Sequence, residues 1–406
     1  TNGFVRNGHD VLEISDRDFL RNNKSFSLIP NRSNFQTFLI DTFKNYNPDI
    51  VFFGHTKNLE LNTLDAFKSI NKNLILSQWN EDPVMPSLNY SKQNISNIKL
   101  YSDFVDHNFI TTDPSILNKT INKNNFNFFF VPVDKNIESF DVYKMKPKKD
   151  LFYAMSHGVN RATLKEGVED DRINFLNKLV NKIPNIKYDF YGFANKQPIW
   201  GNDFNNALIN SKMGLNLSRG KPTKYYSSNR IASIMGNGLL TFIDEKVQMK
   251  DFFNKNEIIF YSNITDLSDK IKFYSKNDKI RKKIASNGKK KYFKLFNETN
   301  MSKYLIDISL GNNNNLFIKW MIISHKYKFI FIKTRKTAGT SIEYNLAKFL
   351  GPKDIITPSA QANYLSQNFI FDTKISFFFK KLNFPKLSNF FSKKFTDHMH
   401  AKEIKK

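Results

Sequence analysis

Residues 213–244 read MGLNLSRGKPTKYYSSNRIASIMGNGLLTFID. Met213–Leu217 and Leu239–Ile243 are apolar runs of strand length, and they predict two strands. Between them lie a basic loop and the turn Ser227-Ser228-Asn229. Beyond the turn, Ile231, Ile234 and Met235 recur at helical spacing. Ser and Asn are helix-capping residues, and the free N–H groups behind such a cap attract phosphate. Arg219, Lys221, Lys224 and Arg230 bring positive charge to the same place. Strand, basic loop, helix start and strand together suit a nucleotide diphosphate.

Working outward, the same alternation continues on both sides. Strands are predicted at Leu151–Met155, Lys187–Tyr191 and Glu257–Phe260, with helices near 171–181, 204–211, 229–235 and 264–274 and two more over 278–309. Upstream, 2–8 resembles a helix end closed by Gly8, and His9–Ile14 reads as a strand. A helix opening at Ser33–Asn34 leads to strand Ile50–Phe53, and a helix over 61–70 leads to strand Leu74–Gln78. Strands Asn108–Thr111 and Phe128–Val131 follow. Strands alternating with helices predict an α/β protein with two parallel, Rossmann-like sheets. A ligand is expected where the carboxyl ends of the strands face the cleft. Polar, aperiodic residues 134–149 are the expected linker between a domain at 1–133, lacking its first strand, and one at 150–310. The Asn run at 311–315 marks a second linker, 311–320, before a partial domain at 321–406.

The 406 residues suffice for two or three cored domains, and 40% hydrophobic with 15% aromatic residues argues for a folded chain. Sixty-two basic against 37 acidic residues give a formal charge of +25. Lys, Asn, Ile and Phe abound throughout, so weight goes only to cations at ligand-binding turns. No nucleic-acid motif is visible, and no specific nucleic-acid partner is expected. With no cysteine, disulfides, thiolate metal sites and a Cys nucleophile are excluded. No apolar run reaches the ~18 residues a transmembrane helix needs. The expected location is the cytoplasm, with peripheral contact at the inner face of a membrane as a further expectation.

Ser156–Arg161 (SHGVNR), Asp189–Gly192 (DFYG), Gly214–Gly220 (GLNLSRG), Asn229–Asp244 and the helical pair at 278–309 together resemble the nucleotide-sugar domain of GT-B glycosyltransferases, in particular the CgeB-like, group 1 type. Residues 1–133 fit the acceptor domain of that fold. The resemblance implies transfer of a sugar from a nucleotide-diphosphate donor to a glycan or glycolipid acceptor. It also implies that the cations at Arg161 and Lys165 cradle the leaving diphosphate. One position departs from the family pattern. Ser233 stands where many retaining members place a Glu, which leaves the stereochemical course open.

The residues support that reading independently. Strand Leu151–Met155 runs into Ser156-His157-Gly158, then Arg161 and Lys165. A departing nucleoside diphosphate needs its growing charge neutralised, and with no tight Asp-x-Asp motif cations are expected rather than a metal. Donor contacts are therefore expected from His157, Gly158, Arg161, Lys165, Arg219, Ser228, Asn229 and Arg230. The alternative is a solvated turn for Arg161 and Lys165, and ion pairing with carboxylates for Arg219 and Arg230. Tyr191-Gly192 and Pro198-Ile199-Trp200 are candidates to wall a nucleobase. On the acceptor side His55, Glu81 and Asp82 follow strand ends, and each is a candidate general base for an inverting transfer. Helix capping or a plain turn is the alternative for the two acids.

A second phosphate cradle lies at His325–Ser341 (HKYKFIFIKTRKTAGTS). Phe329–Lys333 is a predicted strand, Thr334–Gly339 a basic turn, and Thr340 or Ser341 caps a helix closed by Gly351-Pro352. The Lys precedes the Gly, so this is not a Walker A loop. It resembles the 5′-phosphosulfate loop of carbohydrate sulfotransferases that use 3′-phosphoadenosine-5′-phosphosulfate (PAPS). The resemblance implies PAPS binding by Lys333, Arg335, Lys336, Thr337, Gly339, Thr340 and Ser341, with Lys336 at the bridging oxygen. His398, in a tail that also looks like this family, is a candidate base. Only the N-terminal part of such a domain is expected here, with little sulfotransferase activity alone. From Met321 onward the chain carries 16 basic and 5 acidic residues. Phe and Lys interleave at 375–395, where a capping insertion over the cleft for an anionic substrate or an interfacial element is expected. Two other functions stay open: a non-catalytic nucleotide- or glycan-binding module, and a binder of anionic polymers acting through net charge.

Overall fold

The computed structural model describes residues 1–23, 32–54, 58–85, 89–117, 121, 125–156, 159–160, 163–164, 171–218, 220–312, 321–324, 329–332 and 355–356. The chain divides into two compact units, Thr1–Leu310 and Gly311–Lys406.

The first unit begins with α1 (Asn2–Arg6), α2 (Asp16–Asn22), α3 (Arg32–Tyr46), β1 (Ile50–Gly54), α4 (Leu61–Ile70), β2 (Ile75–Asn80), α5 (Asn89–Ser102), β3 (His107–Ile110) and β4 (Phe126–Phe128). The four strands form one parallel sheet in chain order. Helix α4 buries Leu64 and Phe67, one turn apart, and Phe67 stacks on Phe43 of α3 at 4.4 Å. Leu76 and Phe109 are fully buried in the sheet. Each such side chain contributes about 1.5–3 kcal/mol through burial.

A second series follows: β5 (Lys149–Ala154), β6 (Val159–Asn160), β7 (Thr163–Leu164), α6 (Asp171–Lys182), β8 (Tyr188–Tyr191), α7 (Gly201–Ile209), β9 (Ser211–Asn216), α8 (Arg230–Gly236), β10 (Leu240–Asp244), β11 (Ile259–Tyr261), α9 (Ile264–Lys276), α10 (Asp278–Leu295) and α11 (Glu298–Ser309). Strands β6 and β7 make a two-residue antiparallel ladder. The other five form a parallel sheet in the order β11-β10-β9-β5-β8. This doubly wound order reverses between β5 and β9, the switch point at which such sheets open a crevice. Leu151, Met213, Leu215, Leu240 and Phe242 are completely buried at its centre. Gly214 admits α8 against β9, since a Cβ there would lie 2.9 Å from the Ile234 side chain.

Two strand expectations meet a different arrangement. His9–Ile14 forms no strand: among the described residues β1 pairs only with β2, and Leu12 and Ile14 are exposed. The run predicted as strand Phe128–Val131 stays in the ladder only to Phe128. Beyond it the apolar residues turn toward α10 and α11, with Phe130 stacked on Phe296 at 4.2 Å and the Val131 carbonyl accepting from Tyr292 Oη at 2.6 Å. Residues 134–149 run between the two sheets, with Asp134 and Glu138 buried and Ile137 62% exposed. Val142 is fully buried, and the Phe140 and Val142 amides donate to the Asn237 side chain and carbonyl at 3.0 Å each.

Helix α11 returns the chain to the first sheet. Tyr304 Oη donates to the Phe128 carbonyl at 2.8 Å, and Ser309 meets Ser77 of β2 at 3.2 Å. Arg6 of α1 pairs with Glu298 and, at 3.0 Å, with Asp134. Gly3 lies so close to α11 that a Cβ would stand 2.0 Å from the Glu298 carbonyl oxygen.

In the second unit β12 (Met321–Ser324) pairs antiparallel with β13 (Phe329–Ile332) and β14 (Ile355–Ile356). The strand expected before the basic turn is therefore present as β13. Among the described residues of this unit no parallel strand pair of a P-loop-like sheet occurs. Lys333, Arg335, Lys336, Thr337, Gly339, Thr340, Ser341 and His398 lie outside the described residues.

Candidate functional site

The carboxyl ends of both sheets of the first unit open on one cleft of about 380 Å³. One wall comes from the first sheet. Glu81 and Asp82 leave the end of β2 and line the cleft. Their loop is held locally: the Asp82 amide donates to Asn80 Oδ1 at 2.9 Å, and Thr111 Oγ1 donates to the Glu81 carbonyl at 3.2 Å. Asn80 is buried, so the turn that presents the two carboxylates is anchored from beneath.

The floor is the switch point itself. Ala154, Met155 and Ser156 continue β5 into the cleft, and Ser228, Asn229, Arg230 and Ser233 enter from the start of α8. The Arg230 guanidinium joins the two sides. Nε donates to the Ala154 carbonyl at 2.8 Å and a terminal nitrogen donates to the Leu217 carbonyl at 2.9 Å. The same nitrogen reaches Ser228 Oγ at 3.1 Å, and the group lies 4.7 Å from the Tyr153 ring centre. Tyr153 Oη also donates to the Leu217 carbonyl, at 3.1 Å. The ends of β5 and β9 are thus bound to one planar cation, an arrangement that an ammonium could not reproduce. The residue preceding α8 is Asn229, as its capping chemistry suggested, yet its side chain makes no bond to the helix amides.

Pro198, Ile199 and Trp200 form the far wall with Gly201 and Phe204 at the start of α7. Trp200 is 61% exposed, an unusual expense for an indole, which leaves its face open to solvent. Tyr191 does not line the cleft. It packs against the core beside Phe152, and its hydroxyl donates to Asp189 Oδ2 at 3.1 Å. Burial, then the neighbouring Asp189 against the opposing pull of Lys196, raises its pKa.

Away from the residues that line the cleft, the first sheet is joined to the second by Asp113, after β3, and Lys224, in the loop after β9. Their side chains form an ion pair, and the Asp113 amide donates to the Lys224 carbonyl at 3.1 Å. Burial works against a charged Asp113, but the Lys224 ammonium and the Ser115 amide outweigh it and hold this carboxyl below its ordinary value. Sequence reading placed Lys224 among the cations of the loop and found no role for Asp113. The partner lies 111 residues away, and no local pattern links them. Among the described residues three buried side-chain atoms at or near strand ends, Thr112 Oγ1, Asn216 Oδ1 and Tyr261 Oη, have no hydrogen-bond partner.

Of the residues expected to act on the donor or acceptor, the fold brings Glu81, Asp82, Ser228, Asn229 and Arg230 to this cleft. His55, His157, Gly158, Arg161, Lys165 and Arg219 lie outside the described residues. Ser233, at the position of the departure from the family pattern, also lines the cleft. Among the described residues no three His, Asp or Glu side chains converge as metal ligands, and no helix is long and apolar enough to cross a membrane.

A family model described as glycosyl transferase-like matches residues 172–306, which covers α6 to α11. No curated protein matches the chain. Among solved structures, the chain is similar to TarM, with 12% identity over 68% of this chain and 58% of that one, at a TM-score of 0.45. It is similar to Anabaena HepE in complex with UDP and glucose, with 11% identity over 71% and 84% of the two chains and a TM-score of 0.46. An alpha-glucosyltransferase in complex with UDP and a 13-mer DNA aligns at 12% identity over 69% and 83%, with a TM-score of 0.47. The chain therefore spans less than two thirds of the length of TarM.

Proposed function

We propose that this protein is a GT-B glycosyltransferase that moves a sugar from a nucleotide-diphosphate donor to a glycan or glycolipid acceptor. The observation that carries the reading is the cleft at the β5/β9 switch point. There the span matched as glycosyl transferase-like contributes α7 and α8, and the first sheet contributes two carboxylates. In this reading the donor diphosphate lies over Ser156 and Ser228–Arg230, with Arg161 and Lys165 neutralising the charge that grows on the leaving group. The base rests against the wall of Pro198–Trp200. Glu81 or Asp82 takes the proton from the acceptor hydroxyl as it attacks the anomeric carbon. The bond from that carbon to the diphosphate oxygen breaks, and the proton stays on the carboxylate.

Ser233 supplies no carboxylate for a Glu-assisted retaining course, and an inverting one would use Glu81 or Asp82 as its base. The decisive experiment is release of nucleoside diphosphate from a panel of UDP-, GDP- and ADP-sugars, with and without glycan and glycolipid acceptors. It compares the unaltered protein with Arg161→Ala. Turnover that falls in the variant supports the reading. Equal nucleotide binding by both with no turnover in either points instead to a binding module. For the second unit we propose, on the resemblance of Lys333–Ser341 alone, a PAPS-type phosphosulfate loop with Lys336 as its central cation. Protection of this unit from proteolysis by adenosine 3′,5′-bisphosphate tests it.

A further inference from the structure

Helix α10 has one face that the sugar-transfer chemistry does not use. Its 18 residues hold seven Lys and one Arg against a single Asp, Asp278, which is already paired with Arg281 at 2.9 Å and Lys282 at 3.5 Å. Arg281, Ile284, Ala285, Gly288 and Tyr292 are buried and turn one side of the helix to the protein. Lys289 is also engaged, with Asp141 at 3.1 Å and the Phe140 carbonyl at 2.7 Å. Lys279, Lys283, Lys290 and Lys294 are different. All four are exposed, and none of their side chains makes an ion pair or hydrogen bond among the described residues. At about 100° per residue they fall within an arc of roughly 60°, opposite the buried side. At the corner between α9 and α10 this stripe ends in two bulky apolar side chains in water, Phe273 at 48% and Ile280 at 46% exposure. Lys272 and Lys276 are exposed beside them.

We propose that the outer face of α10, with the α9–α10 corner, docks on an anionic lipid bilayer. Four like charges on one arc lose mutual repulsion only against a surface of the opposite sign, and each such lysine gains free energy near anionic headgroups. The charge alone would fit any polyanion. Phe273 and Ile280 favour the bilayer, because a sulfated glycan or a duplex backbone offers little to an aliphatic side chain beside its charges and a bilayer interface buries it. The lysine stems reach past the apolar residues to the headgroups while Phe273 and Ile280 enter the acyl boundary. This surface is distinct from the Phe/Lys-rich segment at 375–395, and its docking does not depend on the sugar-transfer reading.

The test is sedimentation of the full chain with vesicles of phosphatidylglycerol and phosphatidylcholine, against vesicles of phosphatidylcholine alone. Removing the stripe as Lys279→Gln, Lys283→Gln, Lys290→Gln and Lys294→Gln should weaken binding by about fivefold per lysine, several hundredfold in all. A charge-matched set at exposed lysines elsewhere, Lys72→Gln, Lys92→Gln, Lys99→Gln and Lys146→Gln, should weaken it by less than about tenfold. Phe273→Ser with Ile280→Ser should remove the binding that survives high salt. Equal losses from the two lysine sets would overturn the proposal. So would binding to heparin or DNA as tight as to vesicles and indifferent to Phe273→Ser with Ile280→Ser, the result expected of a polymer-binding surface. Hydrogen exchange on the unsubstituted protein gives a check free of folding effects. Anionic vesicles should slow exchange at 273–283, and unchanged exchange there overturns the assignment.

Discussion

Lys224 and Asp113 are bound to each other twice, once through their side chains and once from the Asp113 amide to the Lys224 carbonyl at 3.1 Å. The pair joins the loop after β9 in the second sheet to the end of β3 in the first. Phe128 and Tyr225, with ring centres 5.3 Å apart, continue the same contact. The contact between these two segments therefore includes a charge pair as well as packed rings.

Asp113→Asn keeps the shape of the side chain and removes that charge. Lys224 is about a third exposed, so the loss lies between surface and buried pairs, at about 2 kcal/mol near neutral pH. The folded-state pKa of Asp113 is depressed, so its contribution is complete above the unfolded value of roughly 3.9. It disappears as pH falls through the lower folded value. Thermal unfolding of the two proteins from pH 7 down to pH 2 should show a gap in melting temperature that closes only at the acid end.

Gly288 lies in the middle of α10, where helix propensity alone favours Ala by about 1 kcal/mol. A Cβ there would stand 2.2 Å from the Glu257 carbonyl oxygen, which is backbone and cannot swing away. Close packing should win. Gly288→Ala is expected to destabilise the protein by about 1–3 kcal/mol, read as a lower urea midpoint with an unchanged slope.

Glu81→Gln and Asp82→Asn test the wall contributed by the first sheet. If one of these carboxylates takes the acceptor proton, its amide variant should lose roughly 10²–10⁴-fold in transfer rate. Affinity for the nucleoside diphosphate should stay within about twofold. Titration calorimetry with UDP, GDP and ADP, set beside the transfer assay, separates the two effects. Reduced nucleotide affinity in both variants would place these acids on the donor instead.

Arg230→Lys should behave much like Arg230→Ala. One ammonium cannot bridge the Ala154 and Leu217 carbonyls and lie over Tyr153 at once. Both variants should weaken nucleotide binding by about tenfold or more, because the two strand ends that frame the switch point lose their common partner. Substantial rescue by Lys would mean that charge, not planar bridging, is what the position supplies.

Much of the architecture was legible in short windows. The apolar runs at Leu151–Met155, Met213–Leu217 and Leu239–Ile243 gave strands within two residues of β5, β9 and β10, and the helical spacing of Ile231, Ile234 and Met235 gave α8. Helix α5 escaped such reading. Its sequence NYSKQNISNIKLYS is rich in Asn and Ser, which favour caps and turns, and it holds its place by burying Ile95, Ile98 and Tyr101. His9–Ile14 erred the other way, since alternation makes a strand only where a neighbouring strand offers its ladder.

The sequence by itself determined most of the elements and their alternation, and with them a parallel α/β protein, because periodicity and capping are properties of neighbouring residues. It also named Glu81, Asp82, Ser228, Asn229 and Arg230 one by one. Only the tertiary structure decided that β5 and β9 lie side by side with the switch between them, and that Arg230 binds the ends of both. The return of α11 to the first sheet and the pairing of Asp113 with Lys224 were decided there as well. Those facts depend on which buried surfaces pack together after long loops have closed, and no window of sequence contains both partners of such a contact.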